Sequence, residues 1–337
     1  MSTEADSAGK QVAPGFVGQQ LSASPQVRGN GKLQSAPIET SGMTGLNLFH
    51  LELLHHFCTV TYQTLATDPL SLEIWQNTIV KYGLRFPFLM FELLAISALH
   101  MGHLSPEKQD FYFQEAIELQ SRGLNGFNAF QRDIDRTSAG AILIFSSLIS
   151  LHVFADPLNI KEASLEGYLQ HFLQSVRLMQ SVRGLVIHDW WAHLSKSELK
   201  GLFAVPRVSE PYEIPEQCRN LENVIRNSTP DAKAACRPAI ERLQWLYAVS
   251  EVPKQEHCKV RWLLAWPAQL DIPYLAELDR RTPEAFVILA YYATFMHFYR
   301  ASWVVRNSGR ELIEAIGSLI GEEWRDWLKW PREVTGL

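Results

Sequence analysis

The stretch that decides the fold is 86-FPFLMFELLAISALHM-101, which is apolar nearly all the way round when wound as a helix. A helix without a polar face has to be buried on every side, so this segment predicts a central helix with others packed around it. Pro87 sits where a first helical turn tolerates a missing N–H. Working outward, 46-LNLFHLELLHHF-57 places Leu48, Leu51 and Phe57 at helical spacing, and 72–82 forms a second helix anchored by Ile74, Trp75 and Ile79. In 106–129 the pattern puts Phe113, Ile117, Leu124 and Phe127 on one face, with Asp110 and Glu115 toward the other. Further helices are predicted at 134–155, 161–183, 189–203, 216–226, 231–249, 259–265, 271–278, 283–306 and 309–329. Strand patterns are nearly absent, and no Asn-Gly or Asp-Gly hairpin joins two alternating runs. The expected fold is therefore all-α: a large single domain of stacked helices with no significant sheet.

Residues 1–45 are rich in Gly, Ser, Gln and Pro without an apolar period and read as a disordered leader, so the helical domain is expected over 46–337. The Pro-rich and polar stretches 206–218 and 227–232 read as loops inside that domain, and no exact repeat of 34 or 40 residues is found.

The 337 residues are 47% apolar and 20% charged, the balance of a globular protein able to build its core without staples. A net charge of −5 argues against a nonspecific nucleic-acid binder, which carries a basic stripe. The four cysteines, Cys58, Cys218, Cys236 and Cys258, are too scattered for a Cys-x-x-Cys ligand pair and read as thiols of a reducing compartment. The beginning, MSTEADSAGKQVAPG, lacks a basic-then-apolar signal pattern, so secretion is not expected and the Asn227-Ser228-Thr229 sequon carries no weight. Thr137 to Ala155 contains no Asp, Glu, Lys or Arg and is about long enough to span a bilayer. Its four internal serines and His152 favour a buried central helix, so stable membrane insertion is not expected.

Several segments together carry a resemblance: 53-LLHHFCTVTYQTL-65, Trp75, the stretch 86–101, 112-YFQEAIELQSRGLNGF-127, 141-AILIFSSLISLHVFA-155, 262-WLLAWPAQL-270, 285-AFVILAYYATFMH-297 and 324-WRDWLKWP-331. In order and spacing they resemble the effector region of fungal Zn(2)-Cys(6) transcription regulators, in the branch of the sterol-uptake-control proteins. The resemblance implies a helical domain enclosing a hydrophobic cavity, a sterol ligand in the sensing members whose occupancy controls nuclear entry and activation, and frequent dimerisation. Such regulators begin with six cysteines around two zinc ions, where closely spaced thiolates let a short loop close on the metal. Here no cysteine precedes Cys58, and the leader's basic residues are Lys10, Arg28 and Lys32, so direct DNA binding is not expected. The expected role is an effector domain, nuclear and/or cytoplasmic, that binds a hydrophobic small molecule (a sterol or secondary metabolite), a partner regulator as homodimer or heterodimer, or both. The alternative is a co-opted enzyme of secondary metabolism, a cyclase or isomerase working in the former ligand pocket.

The candidate ligand contacts are Phe88, Phe91, Phe145, Tyr291, Tyr292, Met296 and Trp303, side chains of the helices expected at the centre. Tyr291 and Tyr292 are the best polar handles, since a buried phenol finds a partner. Trp324, Trp327 and Trp330, three apart, form a packing seam suited to core or dimer contact. For catalysis the weak candidates are His188 and Asp189, beside Trp190, Trp191 and His193; neighbours on a helix point about 100° apart, so the pair need not meet. His55 and His56, with Glu52 a turn before, read as one buried and one solvated histidine rather than a metal site. His100 and His103 could share a metal or simply face the helix dipole as cations. No metal site and no cofactor is predicted. Asp133-Ile134-Asp135 has the wrong spacing for a diphosphate–Mg²⁺ motif, and there is no phosphate-cradling Gly-rich loop, no G-x-S-x-G and no H-E-x-x-H.

Overall fold

A computed structural model describes residues 47–66, 69–130, 135–155, 167, 170, 172–174, 176–180, 194, 196–202, 213–250 and 260–337. The chain divides into two units, Met1–Gly45 and Leu46–Leu337, and every described residue lies in the second. The fold is all-α, and the described residues contain no strand.

The first half runs α1 (Leu48–His56), α2 (Tyr62–Leu65), α3 (Pro69–Glu73), α4 (Ile79–Arg85), α5 (Pro87–Leu104), α6 (Gln109–Phe130) and α7 (Ala139–Ala155). The second runs α8 (Leu221–Val224), α9 (Pro230–Ser250), α10 (Val260–Ala265), α11 (Ile272–Asp279), α12 (Pro283–Phe298), α13 (Ser308–Leu319) and α14 (Lys329–Thr335). Two π-helical turns, Phe57–Thr61 and Ile74–Thr78, link α1 to α2 and α3 to α4, so each pair is one continuous helical rod with an extra residue wound in. The two turns face each other, and the Gln76 side chain donates to the Cys58 carbonyl at 3.2 Å.

Three helices are buried almost all round and make the centre: α5, α7 and α12, the last without a break from Ala285 to His297. Of these, α5 alone has the length and apolarity to cross a membrane, but 72% of it is buried among its neighbours, as the apolar run 86–101 predicts. It lies along α6 and also meets α1, α4 and α7; α12 is wrapped by α9, α11, α13 and α14. Helix starts follow local chemistry. Pro87 and Pro283 occupy the first turns of α5 and α12, and the Asp135 carboxylate accepts from the Thr137 and Ser138 N–H groups ahead of α7, each at 2.9 Å. Between α11 and α12 the turn is closed by Arg281 at φ 60°, with Thr282 N–H returning to the Glu277 carbonyl and Arg281 N–H to that of Leu278.

Two boundaries and one buried face differ from the periodicity. The run 283–306 is helical only to Phe298, after which turns carry the chain to Asn307, with Arg306 at φ 41°. The run 309–329 breaks at Ile320–Gly321 and resumes as a 3₁₀ turn over Glu322–Leu328. On α6 the buried face is Tyr112, Phe113, Ala116, Leu119, Gly123 and Phe127, while Ile117 is 36% exposed. Gly123 and Gly126 lie against Phe88 of α5, so small residues at the crossing, not Ile117, set the face.

Candidate functional site

The seven ligand-contact candidates come from the central helices but do not share one wall. Phe88 and Phe145 sit together, ring centroids 5.2 Å apart and edge-on, inside an aromatic group completed by Phe86, Phe127 and Phe130. Phe91, one turn along α5, is half-buried under the Arg122 guanidinium, 4.2 Å from its ring centre. Tyr292 stacks on Trp266 at 4.6 Å and donates its hydroxyl to the Leu263 carbonyl, close to Phe172 and Phe295. Met296 is fully buried on the same helix. Trp303 is elsewhere: it stacks on His100 at 4.8 Å, and its indole N–H donates to Thr64 Oγ1 at 2.9 Å.

Tyr291 belongs to a different place again. Its ring lies 5.0 Å from that of Trp330, and with Trp327 these rings line a cleft of ≈ 430 Å³. Asn220, Asn223, Asp326 and Lys329 complete its lining, the last two paired at 2.9 Å. Burial pushes the Tyr291 hydroxyl up to about 12, so it stays a phenol and a donor at any ordinary pH. Trp330 is backed by Tyr247, whose hydroxyl donates to the Tyr291 carbonyl at 2.8 Å and fixes the α9–α12 contact behind the cleft. The Trp-x-x-Trp spacing of 327 and 330 thus leads to a cleft wall, while Trp324 packs half-buried against the core.

The histidines divide as well. His100 is buried and shares a 3.0 Å hydrogen bond with Thr61, the last residue of the first π-turn. Burial, then the neighbouring His56 and His103, hold it at about 4. His56 and His103 are lowered too, each mainly by burial. Among the described residues no group of three or more His, Cys, Asp or Glu side chains is placed to hold a metal ion. Cys58, Cys218 and Cys236 are free thiols, raised by burial, Cys236 to about 12. His188 and Asp189, the catalytic candidates, lie outside the described residues, as do Trp190, Trp191, His193 and Cys258.

One pairing is not predicted from the sequence. Glu92 of α5 and His152 of α7, at 0% and 2% exposure, meet with His152 Nδ1–H donating to Glu92 Oε1 at 3.2 Å. Glu92 Oε2 and His152 Nε2 have no hydrogen-bond partner among the described residues. The signal was present: Glu92 is the one acidic residue of α5 and His152 the one ring nitrogen base of α7, and a polar group in a buried helix requires a partner.

Three curated proteins put this architecture in context. The chain is 23% identical over 319 residues to a Zn(2)-C6 fungal-type transcription factor of Gibberella zeae, covering 87% of this chain and 63% of that protein. It is 38% identical over 66 residues to sterol uptake control protein 2 of Saccharomyces cerevisiae (19% of this chain, 7% of the relative). It is 26% identical over 166 residues to sterol uptake control protein 2 of Candida albicans (47% and 23%). These are homologues at modest identity, and the chain spans less than two thirds of the length of each. No protein-family model matches the chain.

Proposed function

We propose, from homology with a Zn(2)-C6 fungal-type transcription factor, that this chain is the effector part of a fungal transcription regulator, acting in the nucleus and responding to a hydrophobic small molecule, a partner regulator, or both. The observation that carries the reading is the length of that match: 319 residues, across nearly the whole helical body rather than one amphipathic helix. The name of the two shorter relatives, sterol uptake control protein 2, favours a rigid, mostly apolar ligand.

The proposed ligand contacts fall into subsets. Phe88 with Phe145, and Tyr292 with Met296, are core positions that a ligand reaches only by parting helices; Tyr291 already faces a cleft; Phe91 and Trp303 sit beside Arg122 and His100. A ligand would engage one subset at a time, and Tyr291, although 5% exposed, is the one at a cleft wall. Direct DNA contact is not part of this proposal, because the chain has no cysteine pair at zinc-cluster spacing and a net charge of −5. Pairing with a regulator that carries its own DNA-binding domain supplies the route to DNA.

The test is a reporter assay in which the chain is fused to a heterologous DNA-binding domain. Reporter output should change on fusion and respond to sterol depletion or addition, and mass spectrometry of the purified protein should show a co-purifying apolar molecule. A fusion that leaves the reporter at the level of the DNA-binding domain alone sinks the regulator reading.

A further inference from the structure

We propose that Ser105, at the corner between α5 and α6, is a phosphorylation site: its hydroxyl takes the γ-phosphoryl group of ATP from a proline-directed protein kinase that reads Pro106 and Lys108. This goes beyond the regulator reading and does not depend on it.

The first observation is the sequence around the hydroxyl. Four serines and threonines of the chain stand directly before a proline: Ser24, Ser105, Thr229 and Thr282. A residue without an N–H can be covered by an apolar kinase surface and strand no donor, which is the physical content of proline-directed recognition. Three positions after the acceptor come Val27, Lys108, Ala232 and Ala285 respectively. Ser105 alone therefore carries a cation there, available for a charge-assisted contact with an anionic group of the kinase.

The second observation is what the fold does with the three hydroxyls that are described. Thr282 donates to the Glu277 carbonyl at 3.4 Å, and Ala285 behind it is fully buried, so a kinase would have to unwind the start of α12. Thr229 is exposed, but its hydroxyl caps α9 by accepting from the Ala232 N–H at 3.3 Å. Ser105 stands at the same kind of position, ahead of the Pro106–Lys108 turn, yet its side chain makes no capping bond and has no partner among the described residues. Ser105 is half-buried, while Pro106, Glu107 and Lys108, the residues a kinase would read, are all exposed. Lys108 makes no ion pair among the described residues, so its ammonium is free for that contact.

The third is the backbone. A kinase cleft takes its substrate as extended chain, and Ser105 lies at φ −126° and ψ 79°, outside the helical region. The 3₁₀ turn after it is closed by the Lys108 N–H donating to the Ser105 carbonyl at 3.0 Å, and so short a turn opens locally without disturbing the core. In the transfer the Ser105 Oγ–P bond forms as the bond from the γ-phosphorus to the bridging oxygen breaks. ADP leaves with that electron pair, and the hydroxyl proton passes to the catalytic carboxylate of the kinase. The product carries about two negative charges where a neutral hydroxyl stood.

The experiment incubates the folded full chain with ATP and a purified cyclin-dependent protein kinase, and maps the phosphate by tandem mass spectrometry over a time course. Ser105 is expected to be modified faster than Thr229 and Thr282, and Ser105→Ala to lose that phosphopeptide alone. Pro106→Ala and Lys108→Ala should each slow modification of Ser105 by about tenfold, the worth of one lost contact of this kind. Circular dichroism confirms that each variant is folded, and Lys108, being exposed, gives a readout that does not depend on the core. No phosphate on Ser105 of the folded chain, faster modification of Thr229 or Thr282, or a rate indifferent to both Pro106→Ala and Lys108→Ala overturns the proposal. Each of these leaves the reporter result for the regulator reading untouched.

Discussion

Glu92 and His152 lie sixty positions apart and meet in the driest part of the molecule. A buried hydrogen-bonded pair contributes little net stability, but removing one partner strands the other in an apolar medium. His152→Ala is expected to lower the unfolding free energy by about 3 kcal/mol in urea titration, and the double variant Glu92→Leu/His152→Leu to recover most of that loss. His100 makes a different demand. Its unfolded value is near 6.5 and its folded value about 4, so between those pH values the unfolded chain takes up a proton that the fold refuses. Stability should be full above pH 6.5 and fall as the pH drops toward 4, by on the order of 3 kcal/mol from this group, with His56 and His103 adding in the same direction. His100→Gln, which can still bond Thr61, should flatten the slope of urea midpoints in that window. Each residue was visible as a polar exception in its run; that Glu92 finds His152, and that Asn220 and Asn223 come to face Trp327, depends on long-range packing that no local pattern carries.

At the scale of elements, the close approach of α13 to α12 turns on one glycine. A Cβ at Gly309 would come within 2.8 Å of the His297 backbone nitrogen and closer still to the Ala293 carbonyl oxygen, neither of which can move without shifting the central helix. Gly309→Ala should therefore cost about 3 kcal/mol in thermal or chemical unfolding, although alanine is the better helix former by about 1 kcal/mol. Helix existence and type were legible because α5, α7 and α12 each announce themselves by a long run that is mostly apolar. Helix ends were less so. Arg306 turns the chain at positive φ where glycine would be the usual marker, and the break at Ile320–Gly321 falls inside a run whose periodicity continues across it.

For the molecule as a whole, stability should be graded from the centre outward. Backbone amides of α5, α7 and α12, enclosed on all sides, open only with global unfolding, whereas short surface helices such as α3 and α8 open locally. Hydrogen exchange followed by mass spectrometry should rank Pro87–Leu104, Ala139–Ala155 and Pro283–Phe298 slowest. Equal exchange in α3 and α5 would contradict a single core built on those three helices. The candidate site was only partly readable at this scale. Aromatic helices point to a lining, yet the fold distributes Phe88, Tyr292 and Trp303 among separate neighbourhoods and sets Tyr291 in the wall of a cleft.

The two π-turns bear on how this sequence can change over time. Each holds one residue more than an α-helix needs, and the helix beyond it is rotated by about 100° relative to an uninterrupted one. Losing a single residue from 57–61 would swing Leu65 off the core, and losing one from 74–78 would do the same to Ile79. Because the turns face each other through Gln76 and Cys58, a deletion in one also strands its counterpart. Relatives that keep this packing should therefore tolerate substitution in both segments far more readily than any change of length, and an alignment that opens a one-residue gap there marks a chain that has repacked its first two rods.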